Sequence, residues 1–193
     1  MNATYKNAIF GTMMVLMLGI SSSQVMAIEV ENVVFQKEVR VGDQSLELKG
    51  AGVLYYLRFI KAYVGALYVP PGTAPDGVLA DTPKRLEVEY FHALNGEDFG
   101  PATYKGLSKN LGQEAIDRMR DRIEYHNSLY VDVKPGDRYS LTYLPGIGTE
   151  LALNGEPKGI IEGADFAAAI FSLWLGEYPF DARFKKSLLG LDG

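Results

Sequence analysis

This 193-residue chain predicts the α+β fold class: one domain in which helices pack on one side of an antiparallel sheet. Three features predict it. β-prone runs with period-two alternation fill most of residues 28–91. The period then changes to the three-and-four spacing of helices over residues 96–125. Short strands around Gly-containing turns follow, and two helices close the chain.

The first 27 residues read as a cleavable secretory leader. Lys6 lies in a short basic start, Ile9 to Ile20 is an uncharged apolar run, and Val25-Met26-Ala27 offers a cut site. That run falls short of the roughly 20 residues a membrane-crossing helix needs. A domain over residues 28–193 and a periplasmic location are therefore expected. No cysteine occurs, so neither a lipid anchor on an N-terminal cysteine nor a disulfide framework is available. Lys6 is the only charged side chain among the first 27. Removing them takes the 19 Lys plus Arg to 18, against 24 Asp plus Glu, and the net charge from −5 to −6. That balance argues against nucleic acid as a partner and against electrostatic attachment to anionic lipid.

Ile28–Phe35 and Gln44–Lys49 read as strands joined through a turn at Val41-Gly42-Asp43. After Gly50-Ala51-Gly52, the run Val53–Val69 reads as one long strand. Alternation sets Leu54, Tyr56, Arg58 and Ile60 on one face and Tyr55, Leu57, Phe59 and Lys61 on the other, as in a central strand covered on both sides. Gly65 marks a bend in it, and Pro70-Pro71-Gly72 ends it. Lys84–Phe91 resumes strand character. Gly96–Asn110 reads as a helix stopped by Gly112, and Gln113–Tyr125 as a second with Ile116, Met119 and Ile123 on its apolar face. Asp137–Leu144, Thr149–Leu153 and Lys158–Ile161 form three antiparallel strands, turning at Pro145–Gly148 and at Asn154-Gly155. Helices over Asp165–Leu175 and Asp181–Leu189 end at Gly176 and Gly190.

Three segments resemble the chalcone isomerase-like family, in its exported bacterial branch. They are Gly50-Ala51-Gly52-Val53 with Phe59–Tyr68, then Gly136-Asp137 with Pro145–Thr149 and Asn154-Gly155, and finally Trp174-Leu175-Gly176-Glu177 with Pro179, Lys185-Lys186 and Leu188–Gly190. The resemblance implies an open-faced β-sandwich, a large antiparallel sheet under a layer of helices with a cleft between. In plant members that cleft cyclises chalcones; in plastid members without that activity it binds fatty acids. The catalytic arginine that the resemblance places after the glycines falls here on Leu54 or Tyr55, and neither carries the cation that would stabilise a developing oxyanion. The family's two threonines fall on Tyr63 and Leu173. Its helical Tyr and Asn are matched only in part, since Asn110 aligns while the tyrosine position falls on Thr103, next to Tyr104.

Arg58 draws attention because it interrupts an apolar run, and a buried charge needs a partner or a ligand. Either Arg58 reads an anionic head group in the cleft, or it reaches an edge and pairs at the surface; Lys61 has the same ambiguity. The expected ligand-binding set is Arg58, Tyr56, Tyr63 and Asn110. Trp174 reads as core packing, with lining of the pocket as the alternative. His92 and His126 lack metal-site spacing, and Ser22, Ser23, Ser108 and Ser172 lack a nucleophile setting, so no metal, cofactor or acyl-transfer chemistry is expected. The resulting expectation is a non-catalytic exported protein that binds a small amphipathic or apolar molecule such as a fatty acid. An intramolecular lyase using Arg58, Tyr63 and Asn110, and an interaction domain whose cleft is filled by side chains such as Tyr56 and Trp174, are the alternatives. No stable membrane insertion is expected after cleavage.

Overall fold

The computed structural model describes residues 26–192; of the expected leader, all but Met26 and Ala27 lies outside them. Seven strands form one antiparallel meander in chain order: β3 (Glu38–Val41), β4 (Gln44–Tyr56), β5 (Ile60–Val69), β6 (Lys84–Tyr90), β7 (Arg138–Leu144), β8 (Gly148–Leu153) and β9 (Glu156–Ile161). A separate hairpin, β1 (Ala27–Val30) with β2 (Val33–Gln36), precedes them. The helices are α1 (Phe99–Asn110), α2 (Gln113–Arg118), α3 (Arg120–Ser128), α4 (Ala164–Leu175) and α5 (Ala182–Leu188). The α+β architecture, one large antiparallel sheet with helices packed against one face, is as the sequence predicts.

The pleat divides the core in two. On one side Leu67, Leu86, Val88, Leu141 and Leu151 meet α4 through Phe166, Ile170 and Leu173. On the other, Val64, Ala66 and Tyr68 of β5 meet Val33 and Phe35 of the β1–β2 hairpin. Beyond that hairpin the second face turns charged: Arg138 pairs with Glu87 at 3.1 Å and with Glu89 at 2.7 Å, and its guanidinium lies 4.8 Å from the Phe35 ring centroid.

Two expected strands are in fact hairpins. Ile28–Phe35 turns at Glu31-Asn32, with φ of 53° and 64°. Val53–Val69 turns at Leu57-Arg58, with φ of 49° and 68°, so that Tyr56 pairs with Ile60. Left-handed φ at both central residues is what tight hairpins demand and Asn-Gly ordinarily supplies. For an L-residue such as Leu57 it costs about 1–2 kcal/mol. Gly50-Ala51-Gly52, expected to precede the strand, lies inside β4, which runs through it with an irregularity between Leu48 and Gly50. The helix expected over Gln113–Tyr125 breaks at Met119 (φ −103°, ψ 5°), yet Ile116, Met119 and Ile123 all bury as its period requires. Gly112 caps the start of α2, while Leu111 caps the end of α1.

Candidate functional site

The glycine-rich segment is a seat for α5. A Cβ on Gly50 would fall inside the Ser187 carbonyl oxygen and within 2.8 Å of the Gly190 nitrogen; one on Gly52 would strike the Ser187 side chain. Gly65, directly opposite Gly52, has the Phe184 ring tip 2.9 Å from where its Cβ would be. Phe184 and Ser187, one turn apart on α5, therefore rest on the bare backbone of β4 and β5. Asp181 caps this helix, accepting from the backbone N–H groups of Arg183 and Phe184 at 2.8 Å each.

Next along the same hairpin, Leu54 faces Tyr63 across the strands. Leu54, one of the two positions onto which the family's arginine falls, is 9% exposed and belongs to the helix-side core. Tyr55, the other, lies 5.9 Å beneath the guanidinium of Arg183 on α5. The Tyr63 hydroxyl accepts a hydrogen bond from Trp174 Nε1 at 2.9 Å, which ties β5 to α4. Around it, Tyr63 packs edge-on against Tyr90 and Phe184; Tyr90 packs edge-on against Phe99, which stacks on Tyr130 at 4.4 Å. Burial pushes the Tyr63, Tyr90 and Tyr130 hydroxyls well above their ordinary range, so these groups stay neutral and act as hydrogen-bonding groups without supplying a base or an anion.

Of the expected ligand-binding residues, Tyr63 alone occupies this layer. Arg58 is the clearest correction: it sits in the β4–β5 turn, exposed, with no ion pair among the described residues, and interrupts no strand. Tyr56, 60% exposed, flanks the same turn. Asn110 does structural work at the end of α1, donating to the Gly106 and Tyr178 carbonyls and accepting from the Tyr178 N–H at 3.0 Å. Both N–H groups of its amide and one lone pair of its oxygen are thus used within the chain. Lys61 pairs with Glu31 at 2.6 Å. His92 is exposed; His126 is fully buried, its Nδ1 has no partner, and burial pulls its pKa down to about 4, so it is neutral. Trp174, read from sequence as core, is half-buried and supplies the bond to Tyr63, a pairing across 111 residues that no spacing signals. On the outer side of the helices, Tyr104, Lys105, Ser108, Gln113, Ile116 and Arg120 line a recess of about 350 Å³ between α1 and the α2–α3 pair, which the sequence did not suggest.

Comparison with protein families places residues 27–190 in a match to the family described as chalcone isomerase-like. The chain belongs to this family. Its fold is similar to the crystal structure of a fatty-acid binding protein from Arabidopsis thaliana, with a TM-score of 0.66 at 18% identity, covering 85% of this chain and 96% of that one. A comparison with curated protein sequences gives no match. Within this chalcone isomerase-like chain, then, the glycines of the family motif serve helix packing, while the neighbouring residue pair Leu54 and Tyr63 faces the helices.

Proposed function

We propose that the protein is a non-catalytic binding protein for a small apolar or amphipathic molecule such as a fatty acid, held between the sheet and the α1–α4 layer. The observation that carries this reading is the polar content of the layer beside Leu54: the Tyr63 hydroxyl and the Trp174 indole, neutral groups set among aromatic rings. Such a set orients a polar end by hydrogen bonding and offers apolar area to a hydrocarbon, at roughly 25 cal/mol per Å² buried. It supplies no cation where an oxyanion would form, and the loss of one such group costs about 2.7–4 kcal/mol of transition-state stabilisation. The structural likeness to a fatty-acid binding protein supports the same ligand class.

Two measurements test this. Protein purified from cells should carry lipid visible by native mass spectrometry, and a fatty-acid panel should raise its melting temperature. Protein that arrives empty and is not shifted by any member of the panel refutes the reading. Chalcone should turn over no faster than in buffer. Export to the periplasm, with cleavage after Ala27, belongs to the same proposal and rests on the leader pattern. N-terminal sequencing of the osmotic-shock fraction should begin at Ile28; uncut chain in the membrane pellet would reverse it.

A further inference from the structure

The geometry points to the tip of the β4–β5 hairpin as a wedge that docks the protein on an anionic lipid bilayer. Leu57 is 66% exposed, Phe59 85%, Tyr56 60% and Ile60 46%, so four large apolar side chains surround one three-residue loop. Isolated apolar residues on a surface need no explanation, whereas a contiguous group does. The backbone strengthens the case. Leu57 and Arg58 both adopt left-handed φ, where Asn and Gly would turn the chain without strain and without presenting an apolar side chain to water. Nothing about folding in water favours Leu at that position.

Shape, area and charge select the occupant. The tip is a convex loop, and its four side chains expose on the order of 400 Å², taking 150–250 Å² for a large buried side chain. A standard protein interface takes about 800 Å² from each partner, so a second copy meeting this loop would be held weakly. A bilayer needs no matched surface: Leu57 and Phe59 enter the acyl boundary, and Tyr56 suits the head-group level. Arg58, at the centre of the loop, has no ion pair among the described residues, whereas Arg183, which lies over the Tyr55 ring at the base of the tip, is paired with Asp181 at 3.9 Å. Lys61 is neutralised by Glu31. One unpaired cation, Arg58, thus marks the apolar end of a chain whose net charge is −5. With a screening length of about 8 Å in physiological salt, a phosphate head group meets that cation more strongly than the acidic body behind it. The direction is also suitable for the site: Ile60 lies three residues from Tyr63, and Phe180, 41% exposed, packs edge-on against the Trp174 that bonds it.

The experiment uses the segment from Ile28 onward, which contains both cores and all but the first residue of the family match. It is sedimented with ligand-free vesicles of phosphatidylglycerol and phosphatidylcholine, or of phosphatidylcholine alone. Binding to vesicles is read without fatty acid, so its failure and the failure of the proposed ligand class are separate results. The wild type should sediment with the anionic vesicles and much less with the neutral ones. Phe59→Ser should weaken anionic binding at least tenfold, the change expected when one large apolar side chain no longer leaves water. Arg58→Gln should weaken it several-fold and remove the preference for anionic lipid. Leu57→Asn keeps folding out of the question, because Asn tolerates left-handed φ: its melting temperature should match or exceed the wild type while its vesicle binding falls. The proposal is overturned if the wild type stays in the supernatant, if Phe59→Ser and Leu57→Asn sediment as the wild type does, or if ultracentrifugation finds a dimer that Phe59→Ser dissociates.

Discussion

At its inner end the β4–β5 hairpin has given up side chains so that α5 can lie on its backbone, with Gly50, Gly52 and Gly65 under Ser187 and Phe184. At its tip the same two strands carry Tyr56, Leu57, Phe59 and Ile60 into solvent. Both ends belong to the segment that carries the family resemblance, so a motif that reads as one unit divides physically into a packed part and an unsatisfied part. Steric pressure makes the inner end intolerant of any added atom, while the tip tolerates many residues as far as folding is concerned. Leucine in this left-handed turn carries a backbone cost that its exposed side chain does not recover by burial.

This contrast can be broken by substitution. Gly50→Ala should have the largest effect, since its Cβ meets backbone atoms of α5 that have no rotamer to change; a loss of about 3 kcal/mol is expected by urea denaturation. Acid should attack the helix-side core and leave the tip unaffected. His126 is neutral in the folded protein, where burial pulls its pKa to about 4, and protonates near 6.5 when unfolded. Its contribution is therefore complete above pH 6.5 and lost as pH falls toward 4, by about 3 kcal/mol, and His126→Gln should flatten that part of the stability profile. Tyr63→Phe removes the acceptor for Trp174 and should cost about 1 kcal/mol, together with a weaker shift by fatty acids in thermal melts. Leu57→Asn should show the smallest change and the opposite sign, a gain of about 0.5–1 kcal/mol from relieved backbone strain. A loss there would mean that Leu57 contributes to folding and would remove the contrast.

Legibility followed the same division. The strands β6–β9 and the helices α1, α4 and α5 could be read because Gly, Pro and Asn-Gly punctuate them and because their apolar periods match one buried face. The turn at Leu57-Arg58 could not, since residues that ordinarily avoid left-handed φ occupy it, and at Glu31-Asn32 the one suited residue, Asn32, has no glycine beside it; in a run as β-prone as Val53–Val69 nothing signals a reversal. That one missed turn moved Arg58 from a supposed buried strand to the exposed tip and changed its role. Tyr63 was singled out through the family motif, whereas its hydrogen bond to Trp174 depends on tertiary packing across 111 residues. Asn110 was singled out too, but its hydrogen bonds to Tyr178 depend on where the loop after α4 returns.

The sheet joins each strand to its predecessor, so most of it can zip up as the chain emerges. The seat on Gly50 and Gly52 differs: it is covered by Ser187, Leu188 and Gly190, which follow every strand of the sheet in the sequence. Until those residues are free, the helix-facing backbone of β4 stays open to water and α5 has no place to dock. Synthesis from the N-terminal end therefore leaves Gly50 and Gly52 uncovered until α5 has been made, and a chain lacking residues 182–190 would lack the element that closes this seat.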